Sequence, residues 1–445
     1  MLTALGLICL SYLLWRPVSN GAILYPVLAL LAASALGRCV TCERSVFKSF
    51  SVAGYLLIIA GLITTTVGSI NATPGLSHQV TVWFGSSVIW GLWAMSLTRD
   101  KVRLTLRVLT IATAVLSGLI ILYVGAQQGM LPSIVPDSLF NAQGAGYDLT
   151  TDGSAIRLFG LSTLAAAGPL VSSALVAGRD TFLPSRTLLG VATVLAVIAA
   201  VIAGRRAIAV VTMLSPLLTY VLQRFLRPPA RGPRPRRRLP KWVKASPLIL
   251  IGSMIAARYS LLDRPLAALG DGLNLIFNVG NSSGSMQAAS DLVRLQQTQR
   301  LLAFWGDHPW FGNGLGAVLP DGFVRSAERP WMFEQQYHQL LFSSGLIGAA
   351  LLLAAFLSAW RGIRRAAAVN PEHVPAIVAT SVAAVSMLAA NASNPYLQAV
   401  GHGWSIALAL GVANALLRPT VEAVAPIDHA RISSTALPSL RSGRG

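Results

Sequence analysis

Apolar runs of helix-spanning length recur along almost the whole chain, separated by short polar or basic loops. A bilayer admits only helices and closed barrels, because every backbone N–H and C=O group must find its partner inside the protein. About twenty apolar residues are enough for one helical crossing. The pattern therefore predicts an all-α, polytopic membrane protein.

The composition supports this class. Only 11% of the residues are charged, whereas a soluble domain carries about 25%. The formal net charge of +19 would suggest a nucleic-acid partner in a soluble protein. Here the positive residues cluster in short loops between apolar runs, which is typical of membrane topology, and we expect no nucleic acid as a partner.

Helix length and hydropathy predict about twelve membrane spans. They lie near 2–15, 21–37, 49–69, 80–97, 108–127, 159–178, 187–203, 207–223, 245–257, 337–360, 372–391 and 400–417. The one long stretch of soluble-like composition is 258–336. The chain thus divides into N-terminal transmembrane helices (1–257), a large loop (258–336), C-terminal transmembrane helices (337–417) and a polar, disordered tail (418–445).

The distribution of Arg and Lys predicts the orientation. The basic loops lie at 38–48, 99–107, 224–244 and 361–365. All of them fall on one side if both termini are cytoplasmic, as the positive-inside rule requires. The large loop then lies on the opposite side of the membrane.

Four arginines break this bias, because they fall on the non-cytoplasmic side: Arg157, Arg205, Arg206 and Arg294. A guanidinium group grips two phosphate oxygens at once and stays protonated near neutral pH. Several such groups on one membrane surface suggest a phosphate or diphosphate on a lipid headgroup. The alternative for each single arginine is a side chain at a helix end that snorkels to lipid phosphate.

The segment from Arg294 reads RLQQTQRLLAFWGDHPWFGNGLGAVLP, and FEQQYHQLLFSSGLIGAALLLAAF follows after a variable stretch. It resembles the O-antigen ligase/polymerase superfamily, in which an Arg precedes a Pro, a G-x-G-x-G motif, a polar H-N-x-Y-L motif and a G-L-x-G that opens a span. The matching glycines are Gly312, Gly314 and Gly316, which we expect to permit a tight backbone path.

Two earlier motifs extend the resemblance, which covers about 157–360. RLFG at 157–160 resembles the family's R-x-x-G, and GRRA at 204–207 resembles its S-R-x-A. The order of the motifs and the predicted topology agree with those of the family.

The sequence departs from the family at the polar motif. Aligned on Gly345, Glu334 stands where the family has His, and His338 follows four residues later. We expect Glu334 to be the catalytic base, with His338 as the alternative. On a helix that begins near 333 the two would share a face. Tyr337 is expected to be an interface anchor or a ring that stacks on sugar.

The resemblance implies a glycosyltransferase in the bacterial inner membrane, with its active site facing the periplasm. The donor would be a glycan on undecaprenyl diphosphate, and neither a metal nor a cofactor is implied. In a polymerase of O-antigen or exopolysaccharide the acceptor is a second lipid-linked repeat unit. In the ligase that completes lipopolysaccharide it is the lipid A–core.

The missing histidine favours the polymerase over the ligase. Membrane lipid is an implied partner, as is a chain-length regulator or another polysaccharide assembly protein, and an inactive member of such a complex remains an alternative. A transporter of lipid-linked oligosaccharides is the alternative from another class. Transporters tend to contain internal repeats, and we detect none in this sequence.

Overall fold

The structure of the protein is a computed structural model. It describes residues 1–17, 21–41, 50–127, 131–136, 160–202, 206–226, 286–324 and 327–418. Every regular element within these ranges is helical, so the all-α class is confirmed for the described part of the chain.

The helices follow one another in a single series. They are α1 (Leu2–Trp15), α2 (Gly21–Thr41), α3 (Ser51–Ile70), α4 (Leu76–Val80), α5 (Ser86–Met95), α6 (Arg99–Gln127), α7 (Leu164–Ala177), α8 (Arg186–Ile202), α9 (Arg206–Leu226), α10 (Met286–Asp307), α11 (Gln336–Val369), α12 (Val374–Asn391) and α13 (Trp404–Leu417). A π-helical turn (Thr81–Gly85) joins α4 to α5.

Seven described segments are long and apolar enough to cross a membrane. They are Ile23–Val40, Ser51–Ile70, Arg99–Ala126, Ala207–Leu226, Gln336–Val369, Pro371–Asn391 and Val400–Leu417. Three shorter apolar helices accompany them. Each predicted span except 245–257 overlaps a described helix, although the span 80–97 is divided between the π-helical turn and α5. The span 245–257 lies outside the described residues. The count of about twelve spans stays a prediction.

The two helices α7 and α12 form the buried centre of the bundle, and almost all of their residues are inaccessible to solvent. Both are rich in alanine and serine, and small residues let helix backbones approach closely. Buried hydroxyls join α7 to α9, where Thr219 Oγ1 donates to Ser173 Oγ at 2.7 Å. Packing of small side chains therefore sets the frame on which the outer helices lie.

One end of the bundle, which we name the site end, gathers several chain reversals. Thr163 Oγ1 donates to the carbonyl oxygen of Leu14 at 2.8 Å. His402 Nε2 lies 2.9 Å from Ser162 Oγ. Gln398 Nε2 donates to Gln336 Oε1 at 2.7 Å, which ties the segment before α13 to the start of α11. The N-terminus of α11 therefore lies at the site end.

The opposite end collects the other helix termini. Arg99 donates to Asn370 Oδ1 at 3.1 Å and to the carbonyl oxygen of Leu416 at 3.2 Å, which joins α6, α11 and α13. His373 Nδ1 lies 3.0 Å from Asp180 Oδ1. The predicted basic segments 99–107 and 361–365 consequently lie at this same end.

A break divides α11. Gly345 has φ 60° and ψ −169°, outside the helical region, so residues 336–344 form a short helix ahead of the longer helix 346–369. A Cβ atom at Gly345 would lie 2.4 Å from the carbonyl oxygen of Trp310. The GLIG sequence thus opens the long helix, and only glycine fits its first position.

Candidate functional site

One face of α10 is buried against the loop that follows it and the start of α11. Leu301 is completely buried and belongs to a small apolar cluster with Ala317, Leu319, Phe333 and Phe342. Residues three or four apart on a helix project from the same side. The positions one and two turns before Leu301 are Gln297 and Arg294, so both face the segment that carries Phe333.

The central feature of the site is an ion pair between Arg294 and Glu334. Arg294 Nε donates to Glu334 Oε2 at 2.8 Å. The side chains are 22% and 10% exposed, respectively. A charge-assisted hydrogen bond with limited access to water is stronger than an exposed one. Two sequence-predicted residues with different expected roles are therefore in direct contact.

Gln297 holds the backbone of the same segment. Its Oε1 accepts the N–H groups of Glu334 at 2.9 Å and of Gln335 at 3.1 Å. Its side chain is 1% exposed. Arg294 and Gln297 thus hold both the carboxylate and the main chain of Glu334. Sequence reasoning missed Gln297, because its only signal was a spacing of three residues from Arg294 in RLQQ.

The expectation that Glu334 and His338 share a helical face is wrong. The helix α11 begins at Gln336, so Glu334 precedes it in irregular backbone. His338 lies in the first turn of α11, is partly buried and forms no hydrogen bond with the described residues. Gln335 has φ −80° and ψ 78°, outside the helical region, so the segment that carries Glu334 does not continue the helix.

Tyr337 joins α11 to α12. Its hydroxyl donates to the carbonyl oxygen of Leu388 at 2.7 Å, although the side chain is 43% exposed. The phenol is therefore engaged by the protein at its polar tip, while part of its ring remains accessible. The contact fixes the first turn of α11, in which His338 lies.

A chain of glutamine amides runs beside the site. Gln398 Nε2 donates to Gln339 Oε1 at 2.6 Å as well as to Gln336. Gln339 Nε2 donates in turn to the carbonyl oxygen of Trp331 at 3.0 Å. These bonds connect the segments before α13, before α11 and within α11. The cluster of glutamines in FEQQYHQ was the only sequence signal for this network.

The three glycines of the G-x-G-x-G motif lie in the loop between α10 and α11. Gly312, Gly314 and Gly316 have φ values of 69°, 90° and 77°, which side chains disfavour. A Cβ atom at Gly314 would lie 2.2 Å from the backbone nitrogen of Gly68, on α3. The glycines therefore lie in a tight backbone path, closely packed against neighbouring main chain.

Backbone hydrogen bonds secure this path. Leu315 N–H donates to the carbonyl oxygen of Thr64 at 3.0 Å, and Gly314 N–H donates to that of Ser343 at 2.9 Å. Leu346 N–H, at the start of the long helix, donates to the carbonyl oxygen of Pro309 at 2.9 Å. The loop thus caps the second part of α11 and joins it to α3.

A histidine and a tryptophan border the site at α4. The rings of His78 and Trp331 have centroids 6.0 Å apart and are tilted by 50°. Burial lowers the pKa of His78 below its ordinary value, and the charge of Arg329 lowers it further. An uncharged imidazole therefore lies against Trp331 near neutral pH. Sequence reasoning did not select either residue.

The structure does not describe the side chains of the other three predicted arginines. Arg157 and Arg205 lie outside the described residues, and Arg206 is the first residue of α9 with its side chain undescribed. His402, in the short turn before α13, is completely buried. Its Nδ1 lies 2.8 Å from the carbonyl oxygen of Tyr396, so both of its ring nitrogens have partners.

No three His, Cys, Asp or Glu side chains of the described residues converge closely enough to hold a metal ion. Neither a protein-family model nor a curated protein matches this chain. What the site can do follows from its residues. It presents an arginine–carboxylate pair, a histidine four residues after Glu334 in the first turn of α11, and a closely packed backbone loop that contains the three glycines.

Proposed function

We propose that this chain is a glycosyltransferase of the bacterial inner membrane, with its active site on the periplasmic face. It polymerises oligosaccharide repeat units linked to undecaprenyl diphosphate into O-antigen or exopolysaccharide. The observation that carries the proposal is the contact between Arg294 and Glu334. The pair joins a group suited to diphosphate with a group suited to accept a proton.

The proposed reaction transfers the donor glycan from its diphosphate to the acceptor hydroxyl. The acceptor hydroxyl oxygen attacks the anomeric carbon of the donor glycan, and the bond from that carbon to the diphosphate oxygen breaks. The hydroxyl proton passes to Glu334 as general base. Arg294 stabilises the negative charge that develops on the leaving undecaprenyl diphosphate, as a preorganised donor does in other enzymes.

The ion pair gives the two residues a connected role. A diphosphate carries more negative charge than a carboxylate and offers more oxygens to a guanidinium group. A bound donor would compete with Glu334 for Arg294. Transfer of Arg294 to the diphosphate would weaken its hold on the carboxylate and let Glu334 turn toward the acceptor hydroxyl when both substrates are present.

The distribution of charge supports the orientation. Arg99, Arg364 and Arg365 lie at the end of the bundle opposite the site, together with Arg418, which donates to the carbonyl oxygen of Met95. An excess of Arg and Lys is typical of the cytoplasmic side. On this basis the site end faces the periplasm.

Mass spectrometry of lipid-linked glycans from a deletion strain tests the function. Accumulation of single repeat units on the periplasmic side supports the polymerase. Accumulation of long lipid-linked chains indicates the ligase instead. Single repeat units confined to the cytoplasmic side indicate the transporter, and an unchanged glycan profile contradicts all three functions.

A further inference from the structure

Gln297 is a deeply buried polar residue in contact with the segment of Glu334. It lies on α10 three residues after Arg294, and its exposed fraction is 1%. It accepts two main-chain N–H groups with a single oxygen, at 2.9 Å and 3.1 Å. Those two donors fix the orientation of the amide, because only the oxygen can accept them.

The amide nitrogen of Gln297, in contrast to its oxygen, forms no hydrogen bond with the described residues. Gln297 Nε2 is buried and finds no acceptor among the described residues. A buried donor without a partner is unfavourable, and such groups in folded proteins call for an explanation. A methionine of similar length would fill this space without that penalty. The contribution of the amide to this structure is therefore its accepting oxygen.

We propose that Gln297 is a positioning residue, which fixes the main chain of residues 334 and 335 so that the Glu334 carboxylate meets Arg294. Its part in the reaction rests on the proposed function. Two neighbouring residues of one helical face divide the task. Arg294 holds the side chain of Glu334, and Gln297 holds the backbone that carries it.

The arrangement has a geometric reason. Glu334 lies in irregular backbone just before α11, where no helical hydrogen bonds restrain the main chain. A carboxylate on such a segment samples many positions unless the backbone N–H groups of the segment are held in place. Small displacements of a reacting group reduce rates strongly. Gln297 supplies the restraint from α10, which Leu301 anchors in the apolar cluster.

The first measurement does not depend on enzymatic activity. Glu334→Cys is placed in a chain whose native cysteines are replaced, and the rate at which a small thiol reagent labels the new thiol is measured in detergent. Loss of two backbone hydrogen bonds in Gln297→Met should raise the rate about tenfold. Gln299→Met is the matched control, because Gln299 lies on the exposed side of α10.

A cysteine in place of Pro320, which is exposed, monitors general loosening and should label equally in all backgrounds. An unchanged labelling rate at position 334 in Gln297→Met overturns the positioning role. If that variant does not fold, Gln297→Glu replaces it, because glutamate keeps the accepting oxygen. The thiol at position 334 should then label at the parent rate, and a tenfold faster rate overturns the proposal.

The second measurement concerns the reaction, with purified lipid-linked repeat units. Gln297→Met should lower kcat about tenfold without raising KM for the donor, because a less restrained Glu334 is a poorer base and competes less with the donor for Arg294. Parent kcat in this variant overturns the role in catalysis. A parent enzyme without polymer formation overturns the proposed function, and the labelling result still decides whether Gln297 positions the segment.

Discussion

Arg294 and Glu334 are forty residues apart in the chain, yet Arg294 Nε lies 2.8 Å from Glu334 Oε2. The same helix carries a second pair, in which Arg300 donates to Asp321 at 2.6 Å. That second pair is more exposed, with 39% and 32% of the side chains accessible. The helix α10 therefore carries one largely buried ion pair, to Glu334, and one more exposed pair, to Asp321, for direct comparison.

Arg294→Lys should lower polymer formation about 100-fold, because lysine keeps the charge but loses the planar fork that grips diphosphate oxygens. Arg300→Lys is the matched control and should retain the parent rate, since exposed pairs contribute little. Initial rates with purified lipid-linked repeat units give the comparison. Equal losses in the two variants would count against a specific role for Arg294.

Glu334→Gln should lower kcat by a factor of about 100 to 10,000, because the amide cannot accept the acceptor's proton. If the carboxylate competes with the donor for Arg294, the same variant should show a lower KM for the donor. Both constants come from steady-state kinetics on purified protein. A parent kcat ends the proposal that Glu334 is the base.

His338→Ala decides between the two candidate bases and completes the same experiment. A small loss, alongside an inactive Glu334→Gln, leaves the role with Glu334. A loss as large as about 100-fold, with an active Glu334→Gln, moves the role to His338. Glu334→His restores the residue type found in the resembled family, and we expect it to retain partial activity.

Single cysteines introduced at positions 320 and 365 test the orientation, because both positions are exposed and lie at opposite ends of the bundle. In spheroplasts, whose inner membrane is intact, a membrane-impermeant thiol reagent should label the cysteine at 320 and leave the one at 365 unlabelled. Lysed membranes, in which both should react, provide the control. Labelling of position 365 alone in spheroplasts would invert the topology and the placement of the site.

Gly314→Ala should lower the melting temperature by several degrees, because the new Cβ atom would lie 2.2 Å from the backbone nitrogen of Gly68. Overpacking of this kind lowers the free energy of unfolding by about 1–3 kcal/mol. Gly322→Ala is the control, since Gly322 also has positive φ, at 73°, but nothing lies within 4 Å of its Cβ position. Equal shifts would mean that backbone strain alone, and not packing on α3, explains the effect.

The stability of the protein should fall as the pH drops below 6.5, the ordinary value for His78, because burial and then Arg329 lower the pKa of that imidazole. The unfolded chain then binds a proton that the folded chain resists. The loss continues until the pH passes the lower pKa of the folded state. Melting temperatures at about pH 7.5 and 5.5 should differ less in His78→Gln than in the parent, and an equal difference contradicts this role.

Local patterns predicted the helices and the special backbone of the site. Apolar runs of sufficient length anticipated α1 to α3, α5 to α9 and α11 to α13, because a helix in lipid is specified by consecutive residues and needs no distant partner. The short helix α4 (Leu76–Val80) was not predicted, since it lies in a stretch expected to be a loop. The glycines at 312, 314 and 316 marked a tight path, since positive φ is a property of the residue itself. The helix α10 was not predicted, because its surface is too polar to resemble a membrane span.

The sequence by itself determined the membrane class, the positions of most helices and the candidates Arg294, Glu334 and His338. Only the tertiary structure decided which of these meet. The start of α11 at Gln336 removed Glu334 from the face of His338, and the packing of α10 brought Arg294 and Gln297 to it. Hydropathy and periodicity report the surroundings of each residue along its own segment, whereas an ion pair across forty residues depends on how separate segments pack.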